Sequence, residues 1–304
     1  MRDHDTEPVS REIIALFGPT GVGKTTIAIA LAARLRERGE RPVAVSADAL
    51  ALYEGIELLT AAPTALERAA LEHRLVSCVP LNERVSVARY ARLAHAEIDA
   101  LLEQGVTPIV VGGSGLYLRA ALTDLDLAPP PPPGVRERWM GELDSRGPEA
   151  LHALLAERAP WAAQGIAPTD RHRIVRALEL AEIGALAPPH ARSQLWSGDV
   201  RHPTRLIGLV MERAALYARI DARVDALVAA GARRQVDAAE RSGISATARK
   251  ALGFQELIDG DLEVMKRRTR NYARRQLTWM RKLPDVELVD VTGKSPDDVA
   301  AALQ

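Results

Sequence analysis

The sequence predicts an α/β fold: a parallel sheet flanked by helices, interrupted by a small all-helical insertion. Three observations predict it. Short apolar runs ending in glycine or aspartate alternate with amphipathic stretches, the pattern of βα units. The first run leads into GPTGVGKT (18–25), a glycine-rich string that works only between a strand and a helix. Beyond five consecutive prolines, Pro129–Pro133, only helical periodicity follows until an apolar strand resumes near residue 205.

Taken in order, IIALFG (13–18) reads as a buried strand ending at glycine. The next stretch, TTIAIALAARLRERGE, puts Ile27, Leu31 and Leu35 on one helical face and stops at Gly39. RPVAVSAD (41–48) is a second strand ending in Asp48, a helix covers about 86–104, and TPIVVGG (107–113) is a third strand. Ligands of such sheets bind beyond the carboxyl ends of the strands. Gly18, Asp48 and Gly112-Gly113-Ser114 are therefore expected around one crevice.

The prolines form a stiff, extended spacer. Past them, GVRERWMGELDSRG, PEALHALLAERA and DRHRIVRALELAEIG read as helices, and a second proline-containing break, LAPPHARS (186–193), closes the insertion. RLIGLVM (205–211) returns to the sheet, the chain stays helical to about 282, and VELVDVTG (286–293) is a last short strand. The expected division is a first core part at 10–125, an insertion at 126–190, and a second core part with a basic C-terminal helix at 191–304.

With 40 basic and 40 acidic residues the 304-residue chain has no net charge, so only a local cluster can point to nucleic acid. The one cysteine, Cys78 in LVSCVPL, reads as a small core or near-core residue and excludes a disulfide framework. Seven scattered histidines lack metal-ligand spacing. The N-terminus has no apolar signal core, and no window of eighteen apolar residues suggests a membrane span. The expected home is the cytoplasm.

In GPTGVGKT the glycines, Gly18, Gly21 and Gly23 with Thr20 and Val22 between them, let backbone N–H groups turn inward as an anion nest. The helix N-terminus adds positive potential. Lys24 supplies an ammonium, and Thr25 a hydroxyl suited to Mg²⁺. This is a P-loop NTPase-like element, and by itself it fits ATP as well as another diphosphate. A hydrolytic motor would end a strand in an acidic pair, whereas VVGGSG ends in glycines and serine; a group transferase is the better reading.

Several further strings resemble the tRNA dimethylallyltransferases: VVGGSGLYLRAAL (110–122), LYARIDARVDALVAAG (216–231) and, most specifically, KRRTRNYARRQLTWMRK (266–282). SADALALY, APTDRHRIVRALE and ALGFQE fall in the same order, so the resemblance spans about residues 12–290. It implies that the loop holds the diphosphate of dimethylallyl diphosphate, that Mg²⁺ assists, and that the prenyl group goes to N6 of adenosine 37 in the tRNA anticodon stem-loop. It implies catalytic roles for Asp48, Ser114 and Arg223, with Asp48 taking the amino proton and Ser114 standing where the family usually has threonine. Helical spacing alone leaves Arg219 and Arg223 equally readable as partners of Asp221 or Asp225. RNA contacts are implied at Ala49, Leu50, Ala51, Arg136, His172, Arg173, Arg176, Lys250, Gly253, Gln255, Arg270, Arg274, Arg275 and Gln276, with core and insertion both gripping the stem-loop. A monomer is expected.

The run 266–282 carries eight basic residues and no acidic one, with Met265, Thr269, Ala273, Leu277 and Met280 as its inner face. The chain departs from the family pattern at Ala49, Ala51, Ala62 and Gln255, where polar or cationic residues are usual. Competing readings are a prenyltransferase for free adenine nucleotides, a P-loop kinase for a small metabolite and a non-catalytic tRNA-binding relative. The basic segment and the insertion speak against the first, since a free nucleotide needs neither; the kinase would consume ATP and need no prenyl donor; and the intact Lys24, Thr25, Asp48, Ser114 and Arg223 speak against the non-catalytic relative.

Overall fold

The computed structural model describes residues 12–188 and 194–303. Most of the LAPPHARS break lies outside them. The chain divides into two compact units: the described residues up to Leu125 together with those from Leu195 onward, and Asp126–Gln194.

Among its described residues the first unit is built on six strands: β1 (Ile13–Phe17), β2 (Pro42–Ala47), β3 (His73–Arg74), β4 (Thr107–Gly112), β5 (Thr204–Val210) and β6 (Glu287–Asp290). They pair in the order β3-β2-β4-β1-β5-β6, all parallel. Helices covering both faces leave central strands buried on each side, so β1, β2 and β4 are apolar almost without alternation. Register decides what meets at the rim. Phe17 pairs with Gly112, and Gly112 with Ala47. The next residue of each strand, Gly18, Gly113 and Asp48, therefore leaves the sheet side by side.

Among the described residues five helices precede the insertion: α1 (Lys24–Glu37), α2 (Glu57–Thr60), α3 (Ala65–Ala70), α4 (Val87–Glu103) and α5 (Gly115–Leu122). The expected face of α1, Ile27, Leu31 and Leu35, is buried in one core with Leu16, Ile109 and Ile207. Ser86 caps α4 and Thr64 closes a capping box on α3.

Among its described residues the second unit holds four helices: α6 (Val135–Arg146), α7 (Pro148–Arg158), α8 (Pro160–Gln164) and α9 (Arg171–Glu182). Prolines at the first turns of α7 and α8 start them without losing a needed N–H. Trp139, Leu143, Leu151, Leu155, Ile174 and Leu178 form its own core. Within it Glu179 is fully buried and accepts from Arg136 at 2.6 and 2.9 Å and from Arg176 at 3.1 Å. Arg176 also donates to the carbonyls of Ala128 and Pro129 at 3.0 and 2.7 Å, tying the proline run to α9.

Back in the first unit follow α10 (Arg213–Ala229), α11 (Ala232–Ser242), α12 (Phe254–Asp259), α13 (Leu262–Met280) and α14 (Pro296–Ala302). On α13 Met265, Ala273, Gln276 and Met280 are buried, while Thr269 and Leu277 are half-buried. Two expectations need correction. Residues 49–74 hold α2, α3 and β3, none of which the sequence suggested, because two to six residues carry no measurable period. Cys78 is exposed rather than in the core. Left-handed backbone at Leu75 and Ser77 (φ 58° and 47°) redirects the loop so that Val76 and Val79 take the inner positions.

Candidate active site

Gly21 and Gly23 adopt φ of 84° and 101°, conformations that suit glycine and let the loop curl before α1. Lys24 begins that helix, and its ammonium folds back to donate to the carbonyls of Gly18 and Pro19 at 2.9 and 3.0 Å. Burial and the neighbouring Arg223 pull its pKa from 10.5 down to about 8, while Asp48 opposes the shift. Arg223 on α10 donates to the Thr20 hydroxyl at 3.3 Å. Burial lowers the Arg223 pKa too, with Asp48 and then Glu67 acting to raise it. Loop, Asp48 and Arg223 thus share one electrostatic site. The alternative pairing within α10 does not form: Asp221 holds Arg270 at 2.6 Å and Asp225 holds Lys266 at 2.7 Å, both from α13.

One Asp48 carboxylate oxygen accepts from the N–H groups of Leu50 and Ala51 at 2.9 and 3.3 Å. This is a turn aspartate by geometry, and the turn fixes where its charge sits. Burial, and then that charge, raises the Tyr90 and Tyr272 phenols well above their usual range. Burial, then Tyr53 and Asp48, pushes Tyr117 up to about 12.

The glycines after β4 record close approach. A Cβ at Gly112 would overlap the Ala47 carbonyl, one at Gly113 the Gln276 amide, and one at Gly115 the Trp279 ring. Gln276 occupies the space so freed. Its Oε1 accepts from Thr20 N–H at 2.8 Å and its Nε2 donates to the Gly113 carbonyl at 2.7 Å.

A cleft of about 1190 Å³ opens over this floor. Thr20, Gly21, Gly23, Lys24 and Thr25 line its cationic end; Leu59, Pro63, Leu227, Leu252 and Met265 make an apolar wall. Asp48, Leu50, Ala51, Arg223, Lys250, Arg275 and Gln276 also reach it. Gly18 and Val22 are buried beside it, and Ser114, half-buried, starts α5 one residue past the lining Gly113 without capping the helix by its hydroxyl.

The remaining residues expected to touch RNA are placed differently. Gly253 is buried at the start of α12 with φ 97°, Gln255 donates to Asp259 at 2.8 Å, and Arg270 is committed to Asp221. Ala49 is half-buried and Arg274 exposed, both outside the lining. In the second unit His172 and Arg173 are exposed. Arg136 and Arg176 both pair with the buried Glu179, their side chains 48% and 29% exposed. Gln276, although it lines the cleft, is only 4% exposed. Sequence reading missed Arg219 and Tyr272 as lining residues. Their positions one turn from Arg223 and Gln276 on the same helix faces were the available signal.

Thr25 is the second residue of α1 and lines the cleft. Among the described residues no group of three or more His, Cys, Asp or Glu could cage an ion. Mg²⁺ keeps its waters and is commonly held by few protein oxygens plus phosphates, so one hydroxyl beside an anion nest fits it.

A family model described as IPP transferase matches residues 51–283. A tRNA dimethylallyltransferase of Kineococcus radiotolerans is 40% identical, over 95% of this chain and 94% of its own. That of Thermobifida fusca is also 40% identical, over 96% and 93%. Among solved structures, the tRNA isopentenylpyrophosphate transferase of Bacillus halodurans aligns with a TM-score of 0.69 at 32% identity, covering 96% of this chain and 94% of that one. With such identity along nearly its whole length, the chain belongs to the IPP transferase family, that of the tRNA dimethylallyltransferases.

Proposed function

We propose that this protein transfers a dimethylallyl group from dimethylallyl diphosphate to N6 of adenosine 37 in the tRNA anticodon stem-loop, acting as a cytoplasmic monomer. The observation that carries the reading is the convergence of Lys24, Arg223 and Asp48 at one end of a cleft whose other wall is apolar. The diphosphate sits on the loop, and the prenyl chain and an everted purine occupy the space above it. Small-molecule kinase and free-nucleotide readings lack support from the relatives, which are tRNA enzymes.

In the reaction the C1–O bond of the prenyl diphosphate breaks and an N6–C1 bond forms. Negative charge grows on the leaving diphosphate, where Lys24 and Arg223 stabilise it from fixed positions; one such donor is worth about 3 kcal/mol in the transition state. The hydroxyl of Ser114 is a further donor at the rim. Asp48 takes the proton that N6 loses, which strengthens an amine whose lone pair is delocalised into the ring. Thr25 would hold Mg²⁺, which when bound adds charge neutralisation at the diphosphate.

The test is transfer of label from radiolabelled dimethylallyl diphosphate, with Mg²⁺, to unmodified tRNA or to AMP. Label in tRNA, mapped by nuclease digestion to adenosine 37, is the expected result. Label in AMP alone, or in neither acceptor, overturns the proposal.

A further inference from the structure

We propose that Gln276 is a positioning residue for the phosphate loop rather than an RNA contact. This rests on the diphosphate reading of the loop given above. Gln276 is the one polar side chain of α13 that is fully buried among the described residues. Both ends of its amide are spent inside the protein, on Thr20 N–H at 2.8 Å and on the Gly113 carbonyl at 2.7 Å. Those two partners lie on the rims of β1 and β4, which pair directly. The amide, 256 residues from Thr20 in sequence, thus stitches the loop to the neighbouring strand end.

Thr20 is held from both sides: its N–H by Gln276 and its hydroxyl by Arg223 at 3.3 Å. A loop so fixed presents its remaining N–H groups to a diphosphate without reordering, which is how a preorganised site gains affinity. The lack of a side chain at Gly113 belongs to the same device, since a Cβ there would overlap the Gln276 amide nitrogen. An inward-facing amide on the helix whose outer face is cationic also explains why glutamine interrupts that basic string.

Two measurements on Gln276→Ala test the assignment, with Gln276→Glu and Arg274→Ala as companions. The first is amide hydrogen exchange of the peptide spanning the loop; the second is the affinity of inorganic diphosphate with Mg²⁺, by calorimetry, beside the affinity of unmodified tRNA. Gln276→Ala is expected to speed loop exchange and weaken diphosphate binding about tenfold, with tRNA affinity within twofold of the parent. Gln276→Glu keeps the acceptor for Thr20 N–H but buries a carboxylate against the Gly113 carbonyl and beside the diphosphate, and weakens diphosphate binding further than Gln276→Ala. Arg274→Ala changes tRNA affinity alone. Unchanged loop exchange and diphosphate affinity in Gln276→Ala, or a loss confined to tRNA, overturns the assignment. A parent protein that binds no diphosphate overturns the reading of the loop itself, a result distinguishable from the first.

Discussion

At the scale of single residues the site's chemistry turns on Lys24. Its ammonium titrates at about 8, lowered by burial and by Arg223. Below that pH it is charged and attracts diphosphate; above it the attraction fades. The Michaelis constant for the prenyl diphosphate is therefore expected to rise as pH climbs through about 8. Arg223→Ala removes a cation that holds the value down, so the midpoint moves upward while transfer slows by about a hundredfold. Steady-state kinetics from pH 6.5 to 9.5 check both; a midpoint that stays put detaches Lys24 from the profile. The loop residues were legible because their motif is contiguous, and Asp48 because a strand end exposes it. The inward role of Gln276 was not, since its partners Thr20 and Gly113 are remote in the chain.

At the scale of elements, α13 is two-sided. Arg270, Lys266 and Arg268 are paired with Asp221, Asp225 and Glu256. Arg267, Arg274 and Arg281 lie seven residues apart on an exposed stripe. Each stripe arginine that meets a phosphate contributes about one unit to the salt slope of tRNA binding. Replacing all three with alanine is expected to flatten log affinity against log salt by about three units, whereas Arg270→Ala leaves the slope unchanged. Filter binding between 50 and 300 mM salt decides it. The sheet strands other than the two-residue β3 were readable as apolar runs, and the inner face of α13 as a period. The rows that cations turn toward were not, because helical spacing offered Asp221 and Asp225 equally to the arginines of α10. Packing against α13 made the choice.

At the scale of the whole molecule the two units keep separate cores. Replacing Arg136 and Arg176 together with methionine strands the carboxylate of Glu179, which has no exposure. Leaving a buried charge unpaired costs about 3–5 kcal/mol. Hydrogen exchange across α6–α9 is expected to quicken, while diphosphate affinity holds, since the triad belongs to the core of the second unit and the loop to that of the first. Slow exchange in those helices would mean the carboxylate finds other partners. Prolines and uninterrupted helical periodicity made the insertion visible in sequence, yet its internal charge triad was invisible: three residues on two helices resemble a solvated basic face until they are folded together. A last consequence concerns Trp279, which lies on Gly115 and packs against Trp196 in a tilted contact with ring centroids 4.5 Å apart, one turn from Gln276. Two indoles in van der Waals contact quench and shift one another's emission, so any slippage of α13 beneath the cleft changes the protein's own fluorescence. The molecule carries an optical gauge of that movement, and stopped-flow kinetics can read it without an added dye.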